Sequence, residues 1–167
     1  MSLPNPDRAA ALSLTRRAWL SAIPLLVAAR NAGAVAATLP IAKSLRNELA
    51  MALKGGNPLV VLVSLDGCPF CRVVREHYLS PMHEQQGLPV VQVDMRSAVT
   101  AQDFKGAAQT HDALVRIWSV SLAPTVLFFG RDGAEIARRL EGGGSPDFYG
   151  AYLDDRLEQA RAALKIR

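Results

Sequence analysis

The sequence predicts an α/β domain with a central mixed sheet of about four strands flanked by helices. Three observations carry that expectation. The branched apolar run Leu59-Val60-Val61-Leu62-Val63 reads as a buried strand and breaks at Asp66-Gly67 into a helix. A second apolar run, residues 88–94, follows that helix, and βαβ order implies a parallel pair with a right-handed crossover. A third run, residues 124–129, ends on Gly130-Arg131-Asp132-Gly133, whose Asp-Gly step signals a hairpin into an antiparallel return.

Taken in order, the elements are these. Ile41, Leu45, Leu49 and Leu53 recur every four residues, which predicts an amphipathic helix over 41–53, ended by Gly55-Gly56-Asn57-Pro58. The first strand covers 59–65. The helix after it runs to about residue 79, where Ser80-Pro81 stops or kinks it; residues 82–86 add a further turn. Residues 100–116 read as one or two helices with Phe104, Ala108, Ala113 and Leu114 inward and His111 on the surface; Gly106 weakens that pattern. After the third strand, residues 135–140 return as the fourth. Gly142-Gly143-Gly144 makes a flexible break. Ser145-Pro146 then opens a last helix, 146–164, with its apolar stripe on Phe148, Tyr152, Leu153, Leu157, Ala160 and Leu164.

The chain has 167 residues, half of them apolar and a fifth charged, enough for one domain and a short extension. Its net charge of +4 does not indicate nucleic-acid binding, because the excess lies at one end. Residues 1–37 hold Arg8, Arg16, Arg17 and Arg30 against Asp7 alone, so 15 basic and 14 acidic residues remain beyond them. Those first residues have the three parts of a secretory signal: a basic start, the short apolar run 21–29, and a small-residue site at Ala34-Val35-Ala36-Ala37. Pro24 and Arg30 interrupt the run, which falls short of the roughly 20 apolar residues that span a bilayer.

Arg16-Arg17-Ala18-Trp19-Leu20 resembles a twin-arginine export motif, with Trp19 where Phe is more usual and Ser21 where Lys often stands. The expectation is a signal peptide over 1–37, cleaved near Ala36 or Ala37. A periplasmic domain over 38–167 follows, with no stable membrane span after cleavage. An amphipathic helix or uncleaved anchor is the alternative.

Both cysteines of the chain fall in Cys68-Pro69-Phe70-Cys71, at the start of the helix after the first strand. A helix N-terminus has unpaired N–H groups and a partial positive charge, so it favours an anion. There a thiol pKa drops from about 8.5 towards roughly 3.5–7.5, and thiolate is the nucleophile of disulfide exchange. Cys68 is therefore the attacking sulfur. Cys71, one turn on and on the same face, resolves the mixed disulfide. Pro69 suits an early helical position because its missing N–H has no partner there anyway. Arg72 and Arg75 would favour a thiolate or simply be solvated.

With Ala123-Pro124-Thr125 before the hairpin and the glycine break before the last helix, the element order and the Cys-x-x-Cys resemble the thioredoxin fold over about residues 41–164. Together with the leader, the chain looks like an exported bacterial thioredoxin-like protein. The resemblance implies a cis Ala123–Pro124 bond beside the cysteines, with Ala123 and Pro124 binding an extended substrate segment by strand addition. It implies thiol–disulfide exchange with protein or small thiol substrates and a membrane or periplasmic redox partner. No organic cofactor is needed, because the dithiol carries the electrons.

The chain departs from thioredoxin in three places. Gly67 stands where thioredoxin has Trp. Leu62 stands where it has a buried acid, leaving Asp66 or water for that role. The connection 95–122 is longer. Pro69-Phe70 is nearer the pair in glutaredoxins, which implies a potential less reducing than thioredoxin's value of about −270 mV.

Other readings are weighed against this one. A structural disulfide across so short a loop stabilises little. A metal site would have to gather Cys68, Cys71, His77 and His83, whereas a helix rise of about 1.5 Å per residue carries His77 well past Cys71. Covalent haem needs His where Arg72 stands. A binding-only thioredoxin fold would not need both cysteines. No Ser/His/Asp set, phosphate loop or EF-hand is present. Trp118 is expected to pack under the Pro124 loop.

Overall fold

The computed structural model describes residues 38–143 and 146–166, so the leader and its cleavage site lie outside the described residues. The sheet has four strands in the order β2-β1-β5-β6, where β1 is Leu59–Ser64, β2 Val90–Asp94, β5 Thr125–Phe129 and β6 Leu140–Glu141. Between β2 and β5 a two-stranded ribbon forms from β3 (Thr100–Gln102) and β4 (Ala108–Thr110). The helices are α1 (Leu45–Lys54), α2 (Pro69–Val73), α3 (Ser80–Gln86), α4 (His111–Ile117) and α5 (Pro146–Lys165).

β1 has no polar face because both of its faces are covered. Leu59, Val61 and Val63 pack with Leu45, Leu49, Val91, Val93, Leu114, Leu127 and Phe129 on one side. Val60 and Leu62 pack with Val74, Leu79, Val126, Phe128, Leu153 and Leu157 on the other. All six β1 residues are buried. A Leu62→Ala change in such packing costs on the order of 2–5 kcal/mol.

Register decides what comes together. β1 runs parallel to β2 with Ser64 opposite Asp94, and antiparallel to β5 with Val63 opposite Thr125. The residues after β1, the residues after β2 and the residues before β5 therefore meet at one end of the sheet.

Several expectations are corrected. Residues 41–44 do not begin the first helix: Ile41 bridges Gln92 and Ser44 bridges Gln102, so this segment edges the sheet. Ser80-Pro81 does not stop the second helix. A π-helical stretch, Val74–Leu79, joins α2 to α3, and its wider turn makes room for the proline ring, which would clash with the carbonyl four residues back in a regular α-helix. Residues 100–110 form the β3–β4 ribbon, not a helix. Asp103 Oδ1 accepts hydrogen bonds from the backbone N–H groups of Lys105 and Ala107, and Gly106 takes φ +89 in that turn.

The hairpin return is shorter than expected. Arg131–Gly133 form a 3₁₀ turn, Glu135 makes a single bridge to Phe129, and β6 holds only Leu140 and Glu141. On α5 the buried stripe runs through Tyr149, Leu153, Leu157 and Ala160, whereas Phe148 and Tyr152 face solvent. Trp118 packs on Phe104 and Phe129, with ring centroids 6.4 and 5.2 Å away. His111 is fully buried, not on the surface. Among the described residues no helix is long and apolar enough to cross a membrane.

Candidate functional site: a disulfide at the sheet end

Leu65 to Cys68 turn tightly between strand and helix, the N–H of Cys68 donating to the Leu65 carbonyl at 3.2 Å. Gly67 takes φ +70 in that turn, a conformation that an indole-bearing residue would adopt only with strain. This is the physical reason for glycine before the first cysteine. Cys68 is the N-cap of α2, with extended backbone and Pro69 just inside the helix. Its sulfur accepts the N–H of Cys71 at 3.1 Å, and the two cysteines form a disulfide with their Cα atoms 5.3 Å apart.

The two sulfurs are not equivalent. Cys71 is 1% exposed, while Cys68 is only partly buried. Of the intervening pair, Pro69 is exposed and Phe70 is 65% exposed. Phe70 lies over Gly143, where an added Cβ would sit 3.0 Å from its ring.

The Ala123–Pro124 peptide bond is cis. It heads β5 on the flank of the disulfide, with the carbonyl oxygen of Ala123 4.0 Å from Cys68 Sγ. The loop is pinned on both sides: Thr125 Oγ1 donates to the Leu122 carbonyl at 2.7 Å, and the N–H of Gly142 donates to the Pro124 carbonyl at 2.7 Å. Half-exposed Leu122 and exposed Phe70 give this flank an apolar rim. Cys68, Cys71, Pro69, Phe70, Ala123 and Pro124 are thus brought to one end of the sheet.

The residues of the metal alternative do not gather. His77 is exposed, and His83 Nδ1 lies 2.8 Å from the Leu88 carbonyl. Among the described residues no three His, Cys, Asp or Glu side chains cluster as ligands. Leu62 is fully buried among apolar side chains, and Asp66 is exposed beside the disulfide.

Sequence reasoning missed the other flank. Over the ends of β1 and β2 lies a cleft of about 830 Å³ lined by Asp66, Cys68, Arg72, Arg75, Gln92, Asp94 and Arg96 among others. Arg75 Nη1 donates to Gln92 Oε1 at 3.3 Å, and Gln92 Nε2 donates to Asp94 Oδ1 at 2.7 Å. Behind them, the N–H of Asp94 donates to His111 Nδ1 at 3.1 Å, which leaves the imidazole proton on Nε2, 3.2 Å from the Ala42 carbonyl. The sequence signal available was the position of Asp94 at the end of a parallel strand, where α/β sheets place their clefts.

The family profile described as "Thioredoxin-like domain" matches residues 45–157. The chain belongs to this thioredoxin-like family. Among solved structures it is similar to a thioredoxin of Fasciola hepatica, with TM-score 0.50 and 18% identity over 73% of this chain and 99% of that one. That likeness is of fold. A structure titled "DsbH Oxidoreductase" gives TM-score 0.49 at 20% identity, covering 80% of this chain and 90% of that one. The periplasmic thioredoxin SoxS of Paracoccus pantotrophus gives 0.41 at 20%, covering 62% and 98%. A comparison with curated protein sequences finds no match. In this thioredoxin-like fold the Cys68–Cys71 pair suggests a thiol–disulfide oxidoreductase.

Proposed function

We propose that the chain is an exported thiol–disulfide oxidoreductase that works as a thioredoxin-like reductase, with Cys68 attacking and Cys71 resolving. The observation that carries this reading is the Cys68–Cys71 disulfide at a helix N-cap beside the cis Ala123–Pro124 bond, with the outer cysteine partly exposed and the inner one buried. In the reduced protein, Cys68 thiolate attacks one sulfur of a substrate disulfide. A Cys68–substrate disulfide forms, the substrate bond breaks, and the other substrate sulfur leaves as thiolate and takes a proton from solvent. Cys71 then loses its proton to solvent and attacks Cys68 Sγ, releasing the second substrate sulfur and closing the Cys68–Cys71 bond. Two electrons have passed from the dithiol to the substrate, and the reverse sequence oxidises a dithiol.

Ala123 and Pro124 form the groove that takes the extended substrate segment, and Pro69 and Phe70 set the reduction potential. Residues 1–37 act as a twin-arginine-type signal removed near Ala36 or Ala37. The domain over 38–167 then works in the periplasm and is re-reduced there by a membrane or periplasmic redox partner. This rests on Arg16-Arg17, the short apolar run and Ala34-Val35-Ala36-Ala37.

Insulin reduction by the domain over 38–167 tests the assignment. The native domain turns over and the Cys68→Ser variant does not; equal activity of the two would sink it. A reduction potential near about −270 mV supports the reductase direction, while one near about −120 mV marks an oxidant. Fractionation of cells expressing the full chain tests export, with an Arg16→Lys/Arg17→Lys variant expected to retain the uncleaved protein inside.

A further inference from the structure

The disulfide sits between two dissimilar flanks. On the β5 side is the apolar rim of Leu122 and Phe70 with the cis-proline loop. On the β2 side is the cleft of about 830 Å³, to which no residue of that loop contributes. Three arginines line the cleft, Arg72, Arg75 and Arg96, against two aspartates, Asp66 and Asp94.

The pairing within it decides its character. Asp94 is held by Gln92, and Arg75 is engaged by Gln92 and lies 3.9 Å from Glu76. Arg72 and Arg96 make no ion pair among the described residues, while Asp66 stands at the disulfide side of the cleft.

Both unpaired arginines are well placed. Arg72 follows Cys71, and its N–H donates to the Cys68 carbonyl at 3.2 Å, which fixes its start point one turn from the outer sulfur. Arg96 follows β2 in a left-handed conformation, φ 60, and its N–H donates to Asp112 Oδ1 at 3.1 Å. The neighbouring Met95 N–H donates to the Ser64 carbonyl at 2.8 Å, so the loop that carries Arg96 is tied to both β1 and α4. Guanidinium groups match carboxylates in shape and charge.

We propose that this cleft is an anion subsite that selects substrate disulfides carrying a carboxylate beside the reacting sulfur, held by Arg72 and Arg96. The inference rests on the reading of Cys68 as nucleophile. While Cys68 Sγ forms its bond to one substrate sulfur and the other departs as thiolate, the carboxylate is held on the β2 side and takes no part in the bond changes. The carboxylate can belong to a small thiol compound or to an acidic residue next to a protein cysteine.

The test uses the reduced domain and two reporter disulfides, the carboxylate-bearing 5,5′-dithiobis(2-nitrobenzoate) and the neutral 4,4′-dithiodipyridine. Arg72→Gln and Arg96→Gln should each slow the anionic reagent by about two- to fivefold, and the double variant by about tenfold, with the neutral reagent unchanged. Raising ionic strength should slow the native protein with the anionic reagent alone.

Equal slowing of both reagents, or no change with either, overturns the subsite. A Cys68→Ser variant that reacts with the neutral reagent as fast as the native protein would instead overturn Cys68 as nucleophile, so the two failures are distinct. Peptide disulfides with Glu or Gln beside the cysteine, and glutathione disulfide against its ethyl ester, then tell which carboxylate source is preferred. A preference for the acidic member of either pair supports the subsite, and indifference to both overturns it.

Discussion

The backbone N–H of Cys71 points at the sulfur of Cys68 across 3.1 Å, so the helix start solvates one sulfur of the pair and not the other. That asymmetry agrees with burial, because the donor's own side chain is 1% exposed. A charge arising on Cys68 finds a fixed dipole, whereas a charge on Cys71 would have to arise inside the apolar layer beneath it.

Selective alkylation follows from this. In the reduced protein, a limiting amount of iodoacetamide at neutral pH should modify Cys68 at least about tenfold faster than Cys71. Peptide mapping of the labelled sites checks it, and equal labelling would contradict the asymmetry.

His111 ties three segments together, taking the N–H of Asp94 on Nδ1 and giving its Nε2 proton to the Ala42 carbonyl. His111→Leu keeps most of the volume but leaves a buried donor and a buried acceptor unpaired. Urea unfolding should show a loss of about 2–4 kcal/mol, with earlier hydrogen exchange at Ala42, whose N–H donates to the Gln92 carbonyl, and at Gln92, whose N–H donates to the Pro40 carbonyl.

Tyr149 is 3% exposed and its hydroxyl has no partner among the described residues. Burial, and next the Tyr78 phenol whose ring centroid is 5.0 Å away, push its pKa up, well beyond the usual phenol range. In the unfolded chain the phenol ionises near pH 10, while in the folded one it stays protonated. Its contribution is therefore fully present below about pH 10 and is lost as pH rises above that. Tyr149→Phe should leave stability at pH 7 unchanged or up to about 1 kcal/mol higher, and should lessen the decline above about pH 10 in thermal melts.

Much of this was legible in the residues. The uninterrupted run Leu59–Val63 told of a strand covered on both faces, and both cores confirm it. The placing of Cys-x-x-Cys at a helix start matches the structure, and so does the cis bond at Pro124 that the thioredoxin resemblance implies.

The helix expectation fails over residues 100–110 because their alanines fit a helix as well as an edge ribbon. What decided was Asp103, whose carboxylate closes a turn over Gly106, and a side chain's choice of partner leaves no periodic trace. The last helix begins at Pro146 as expected, but its apolar stripe is displaced by one residue over the first turns. Phe148 and Tyr152 match a four-residue spacing as well as Tyr149 and Leu153 do, and only the sheet selects between them. His111 and the arginine cleft were out of reach for a third reason: they depend on contacts between β2, α4 and the segment before α1.

The most direct test of the central claim is trapping of the mixed disulfide. The chain has two cysteines, so each single variant leaves one thiol. Incubated with a disulfide-bonded protein substrate and analysed by non-reducing electrophoresis and mass spectrometry, Cys71→Ser should accumulate a stable Cys68–substrate adduct, and Cys68→Ser should not. An adduct through Cys71 in its place, or none with either variant, would contradict the assignment of Cys68 as the attacking sulfur.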